Sequence, residues 1–122
     1  MTLLVLPFPP SMNGYWRSLR TGKLAGRVLI SERGRAFRKA VEDIGRLHEI
    51  NKLDGALKAT IWLHPPDRRR RDIDNPIKPL LDALTHAGAW EDDSQIRELH
   101  VTMEAPDKDN PRALVLIEKV AG

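Results

Sequence analysis

The apolar positions of this chain change period several times along its length, and each change predicts an element. Residues 2–6 are apolar after Thr2 and predict a core strand. Pro7 and the Pro9-Pro10 pair end it, because proline lacks the ladder donor. Ser11-Met12-Asn13-Gly14 predicts a turn, since Asn-Gly favours one. From Tyr15 to Arg27 the chain is basic and carries Gly22 and Gly26, the pattern of a long loop or loose hairpin. Loops of this length in small domains are often functional. Val28-Leu29-Ile30 is short and extended. Ser31 is a good N-cap for a helix over 32–50, whose apolar face is Phe37, Ala40, Val41, Ile44 and Leu47. Arg35, Arg38, Lys39, Glu42 and Arg46 form its charged face.

After a turn at 51–55 the period falls to two. Leu57, Ala59, Ile61 and Leu63 alternate with Lys58, Thr60, Trp62 and His64, which predicts a strand with one buried face. Pro65-Pro66 ends it, and an exposed charged loop follows. A second helix is expected from Asp74 or Asn75, with Pro76 in its first turn. Ile77, Leu80, Leu81 and Leu84 fall on its core face, while Asn75, Lys78 and Asp82 share another. Gly88 has the place of a C-terminal cap, Trp90 that of an anchor, and Glu91-Asp92-Asp93-Ser94 that of a tight acidic turn. Strands are expected over 96–104 and 112–119. The order β-loop-α-β-α-β-β predicts an α+β fold: a two-layer domain, with a small mixed or antiparallel sheet and two helices packed on one face.

At 122 residues the chain is one domain, 1–122. It has no cysteine, hence no disulfide and no Cys-based zinc site, which suits a cytoplasmic protein. His48, His64, His86 and His100 lack the H-x-x-x-H spacing of a zinc hydrolase. The apolar start has no basic n-region and runs straight into prolines, unlike a signal peptide, and no apolar run is long enough to span a membrane. Net charge is only +3, but residues 14–39 carry eight Lys/Arg against one acid, whereas 91–109 are mostly acidic. A basic front with an acidic pocket is what a metal-dependent nuclease needs; a solvated surface of uneven charge is the other reading.

The chemistry concentrates in Asp67-Arg68-Arg69-Arg70-Arg71-Asp72-Ile73-Asp74-Asn75 and in Asp92-Asp93. Four successive arginines suit phosphate. Asp72 and Asp74, two apart, point the same way in an extended segment, and Asp74 gains from a helix N-terminus. An antiparallel return after Gly88 would bring Asp92 and Asp93 to the same end of the sheet. Clustered carboxylates repel unless a cation is present, and Mg²⁺ takes one or two of them with waters and substrate phosphate. Such a metal would activate a water and stabilise charge on the cleaved phosphate. Lys78 lies where it would contact that phosphate or orient the water. Taken singly, each piece is also an ordinary solvated or helix-starting segment. Together, within one helix and two loops, they point to phosphodiester cleavage.

Asp67-Arg68-Arg69-Arg70-Arg71-Asp72-x-Asp74-Asn75-x-x-Lys78, then Asp82-Ala83-Leu84, then Ala87-Gly88-x-Trp90-x-Asp92-Asp93, resembles the core signature of the RusA-type Holliday-junction resolvases. Pro9-Pro10-Ser11-x-Asn13 is similar to that family's N-terminal signature. The resemblance implies a homodimeric, Mg²⁺-dependent endodeoxyribonuclease, with Mn²⁺ able to substitute, that nicks opposing strands of a four-way junction symmetrically. The nicks would leave 5′-phosphate and 3′-hydroxyl ends. It further implies Asp72, Asp74 and Asp93 as metal-binding catalytic acids, Lys78 as the essential lysine, and Arg71 as a DNA contact. Asp92 and Asn75 would support the ligands. Arg68, Arg69 and Arg70, with Arg17, Arg20 and Lys23 of the basic loop, would bind DNA. Such proteins act at the nucleoid and are commonly prophage-borne. This chain departs in carrying both Pro76 and Pro79 around Lys78; a proline in the first turn leaves the lysine in place.

A dimer follows from symmetry as well, because two coordinated cuts on a two-fold junction need two sites. The apolar first strand and residues 28–30 are candidates for the interface or for core burial. Phe8, Tyr15 and Trp16 would stack on an opened junction centre or pack the core edge, and Trp62 and Trp90 belong to core or rim. Two other readings stand beside the resolvase: a DNA-binding module whose carboxylates are structural, and a Mg²⁺ enzyme acting on free nucleotides. The second lacks a Gly-rich phosphate loop.

Overall fold

The computed structural model describes residues 1–18, 22–23 and 26–120. Its elements are β1 (Thr2–Pro7), α1 (Met12–Tyr15), β2 (Trp16–Ser18), β3 (Val28–Ile30), α2 (Glu32–Leu47), β4 (Leu57–His64), α3 (Ile77–His86), β5 (Ile96–Met103) and β6 (Arg112–Lys119). The main sheet has the order β1-β6-β4-β5. β6 runs antiparallel to both neighbours, with Val5 opposite Leu114 and Leu114 opposite Trp62. β4 and β5 run parallel, and parallel neighbours need a crossover, which α3 supplies. Pro7 closes β1 on the edge of the sheet, where no ladder donor is lost.

The alternation predicted for β4 is observed: Leu57, Ala59, Ile61 and Leu63 are buried, and their neighbours are half-buried. Leu4, Leu6, Val115 and Ile117 join them on one face of the sheet. Phe37 and Val41 of α2 and Leu80, Ala83 and Leu84 of α3 complete this core. The fold is therefore the expected α+β class, with a mixed four-stranded sheet and two long helices.

The described residues around the basic segment take the hairpin alternative. Ser11 caps the single turn α1, accepting a hydrogen bond from Gly14 N at 3.1 Å. β2 and β3 pair as an antiparallel hairpin, Trp16 opposite Ile30. Ser31 is the predicted cap of α2, accepting from Gly34 N at 2.9 Å. Its hydroxyl also approaches the carbonyls of Gly14 and Tyr15 at 2.6 and 2.9 Å, clasping α1 to α2.

Two helix limits differ from expectation. α2 ends at Leu47 rather than at 50, because Glu49 takes a left-handed φ of 52°. Ile50 N then donates to Gly45 O at 3.0 Å, closing the helix without a glycine. α3 begins at Ile77, not at Asp74 or Asn75, after a turn over 73–76. Its predicted end holds: Gly88, at φ 88°, and Ala89 donate to Thr85 and Leu84 carbonyls at 3.1 and 3.0 Å. Trp90 is fully buried, its indole donating to Thr85 Oγ1 at 2.6 Å.

Candidate active site

Lys78, one turn into α3, meets Asp93 of the acidic turn: Nζ lies 3.6 Å from Oδ2. The parallel pairing of β4 and β5 corrects the antiparallel return expected after Gly88. The acidic turn enters β5 beside Leu57, where β4 begins, while the Arg-Asp loop leaves the far end of β4. The reach of Lys78 therefore bridges the helix and the turn. The turn itself is tightly built. Asp92 caps a 3₁₀ turn over Asp93–Gln95, accepting from Ser94 N at 3.1 Å. Gln95 Oε1 accepts from Glu91 N and Asp92 N at 2.8 and 3.1 Å, completing a capping box. Gln95 Nε2 donates to the carbonyls of Leu53 and Gly55, tying the turn to the entry of β4. Hydrogen bonds from the Ser94 side chain and backbone hold the Asp92 carboxyl below the usual carboxylate range. Asp92 thus caps the turn that carries Asp93.

Asp72 and Asp74 are exposed in the loop and turn before α3. Among the described residues neither carboxylate has a hydrogen-bond or ion-pair partner; their carbonyls accept from Asn75 N and Ile77 N and so shape the turn. Also among the described residues, no three Asp, Glu or His side chains stand close enough to enclose a metal ion. Asp72, Asp74 and Asp93 are therefore not assembled into a ready-made cluster. The donor set nonetheless fits a hard cation: oxygen atoms only, unencumbered at Asp72 and Asp74, with Asp93 held by one exposed lysine. Mg²⁺ needs no more than one or two protein carboxylates.

The four arginines divide. Arg68, Arg69 and Arg70 are exposed, and Arg69 reaches Asp67 only at 3.9 Å. Arg71 is a bracket: Nη1 lies 2.8 Å from Asp67 Oδ1 and donates to the carbonyls of Asp67 and Arg69 at 3.1 and 3.3 Å. Its guanidinium lies over the Phe8 ring, 5.7 Å from the centroid. The bond from Arg71, with that from Arg69 N, keeps the Asp67 carboxyl ionised below its ordinary range. Arg17 on β2 and Lys23 beyond it are exposed; Arg20 lies outside the described residues. Asn75 is half-buried beside Asp72 in a cavity of about 470 Å³.

One cluster has no counterpart in the sequence reading. Tyr15 OH donates to Asp82 Oδ2 at 2.5 Å. Arg38 Nε donates to Tyr15 OH at 2.7 Å, and its Nη2 to Asp82 at 2.7 Å. Burial would raise the Asp82 carboxyl, but the bonds from Tyr15 and Arg38 outweigh it and hold it low. Burial, with Asp82 against its hydroxyl, pushes Tyr15 well above its ordinary value, so it stays a donor. These residues join the root of the hairpin to the helix that carries Lys78. Separations of 67 and 44 residues hide the link from any local pattern.

A lysine-carboxylate pair, two unpaired carboxylates and an arginine loop on a small α+β scaffold are the kinds of group a phosphodiester-cleaving site uses. The family model described as "Endodeoxyribonuclease RusA" matches residues 7–118. The chain is 40% identical over 119 residues to a crossover junction endodeoxyribonuclease of Enterobacteria phage 82, covering 94% of this chain and 92% of that one. It is 39% identical over 119 residues, with the same shares covered, to the enzyme of that name in Escherichia coli strain K12. It is 41% identical over 98 residues to that of phage HK97, covering 80% of this chain and 78% of that one. The chain belongs to the endodeoxyribonuclease RusA family.

Proposed function

We propose that this chain is a divalent-metal-dependent endonuclease that resolves four-way DNA junctions by paired nicks, leaving 5′-phosphate and 3′-hydroxyl ends. The observation that carries the reading is the Lys78–Asp93 pair, 3.6 Å apart on a chain 40% identical in sequence to a crossover-junction relative. An ion pair this long and this exposed contributes little to folding, so Lys78 is available to substrate. Asp72, Asp74 and Asp93 would hold Mg²⁺, or Mn²⁺ in its place. When bound, the metal lowers the pKa of water and stabilises charge on phosphate. Lys78 would contact the scissile phosphate and stabilise its developing charge. Arg68, Arg69 and Arg70, with Arg17, Arg20 and Lys23, hold the flanking backbone through contacts that weaken with salt.

Paired cutting calls for a homodimer, since one chain carries one such site. The outer face of the sheet is a fitting surface: Leu3 and Val5 are half exposed, alongside Leu114, Leu116 and Trp62. No helix among the described residues is long and apolar enough to cross a membrane, and phage relatives support a prophage-borne gene acting on DNA in the cytoplasm.

The test is cleavage of a labelled four-way junction against linear duplex, with Mg²⁺ or EDTA, by wild type and Asp72→Asn. Paired, metal-dependent, ligatable nicks absent in the variant are expected. Junction binding without cutting under any divalent metal would instead make the chain a binding module with structural carboxylates.

A further inference from the structure

The proline segment after β1 borders two cavities, of about 470 and 830 Å³. Phe8, Pro9, Ser11, Arg70 and Arg71 line both, so the two form one continuous groove. Its smaller end reaches Asp72 and Asn75. Its larger end reaches Phe37 and Arg33 of α2 and Arg69 of the charged loop. Flat apolar surfaces from half-buried Phe8 and Pro10 thus share a groove with guanidinium groups, and the groove leads to a free carboxylate.

That combination selects for a nucleic-acid strand with its bases exposed. In a duplex, base faces are covered by their neighbours and a protein meets only edges and phosphates. Aromatic and guanidinium planes are used for faces, where bases are unpaired. The plane here is pre-built. Arg71 cannot swing out to follow a phosphate, because its Nη1 is committed to Asp67 and to two carbonyls. It lies over Phe8 instead, 5.7 Å from the ring centroid. The smaller cavity alone falls in the roughly 300–1,000 Å³ range of pockets that enclose small molecules.

We propose that this groove holds an unpaired nucleotide of the cleaved strand, its base against Phe8 and Arg71. The neighbouring phosphates lie on Arg69, Arg70 and Arg33, which delivers the next phosphodiester to Asp72. This rests on the nuclease reading above and adds to it an opened base next to the cut.

The experiment places 2-aminopurine, one position at a time, at the nucleotides flanking the mapped cut of a synthetic four-way junction, and titrates the full chain in EDTA. A several-fold fluorescence rise at one flanking position is expected as that base leaves its stack. Phe8→Leu, which keeps the apolar volume packed on the core, should lose most of the rise when compared with wild type at saturating protein. A bound junction that stays dark at every flanking position overturns the proposal and leaves the nuclease reading standing. So does a rise that Phe8→Leu does not change. Absence of any junction binding overturns both.

Discussion

Tyr15 is fully buried, yet its hydroxyl is shared between Asp82 and Arg38. Removing the hydroxyl leaves Arg38 and Asp82 directly paired at 2.7 Å, so Tyr15→Phe should cost only about 1–2 kcal/mol, measured as a lower urea midpoint at unchanged slope. Asp82→Asn should behave differently with pH. The folded Asp82 carboxyl is held below its ordinary value, so its stabilising effect is present above about pH 4 and fades as pH falls through the folded pKa. The melting-temperature gap between wild type and Asp82→Asn should be wide at neutral pH and narrow below about pH 4. A gap that does not move with pH would show that the charge of Asp82 is not what Arg38 and Tyr15 hold. Gly34 gives a second residue-level test. An alanine in a helix interior ordinarily gains up to about 1 kcal/mol over glycine. At Gly34 a Cβ would overlap the Tyr15 carbonyl oxygen and approach Ile30 Cγ2 to 2.8 Å. Overpacking of this kind costs about 1–3 kcal/mol, so Gly34→Ala should destabilise. A stabilised variant would show that α2 and the hairpin root can part freely.

At the scale of elements, the legible parts of the chain are those with a sustained period. β4 alternates for eight residues, and α2 and α3 keep one apolar stripe each. What escapes is short or depends on partners. α1 is four residues long and contains Gly14, too little for a period. The end of α2 is made by Glu49 in a conformation that glycine usually supplies. Alternation does not say whether strands pair parallel or antiparallel, so it does not fix the end of the sheet at which the acidic turn enters β5. The site shows the same division. Lys78 and Asp93 sit in a motif and meet in space. The work of Arg71 as a bracket and Asp92 as a cap depends on hydrogen bonds that composition does not display. Asp92→Ala should therefore lower nicking several-fold while leaving the melting curve nearly in place, because the turn that carries Asp93 loses its cap. Asp92→Asn, whose side-chain oxygen can accept the same bonds, should restore most of the rate. If the asparagine variant is as inactive as the alanine one, the charge of Asp92 acts on the metal or substrate directly.

At the scale of the whole molecule, the described residues cover the sheet on one face only. α2 and α3 close the inner face, whereas Leu3 and Val5 on the outer face remain 54% and 50% exposed. Val5 stands opposite Leu114, which stands opposite Trp62, so exposed Val5 and half-buried Leu114 and Trp62 form one apolar row across three strands. Contiguous apolar surface of this kind marks an interaction site more often than scattered residues do. A second copy across a two-fold axis would bury it and supply the second nick. Val5→Glu separates this use from folding. On a free surface such a change is worth within about 0.5 kcal/mol, so the variant should fold. In a dimer interface it places two carboxylates, one from each copy, near the axis with no cation to pair them, and removing water from unpaired charge is costly. The expected result is sedimentation at the 13.8 kDa of one chain, against twice that mass expected for wild type. Nicks on single strands should persist while paired, ligatable products fall, because each site stays intact but no longer acts with its twin. If Val5→Glu still sediments as a dimer and still cuts in pairs, the two copies meet elsewhere, and the exposed Val28 and Leu29 of β3 become the surface to change next.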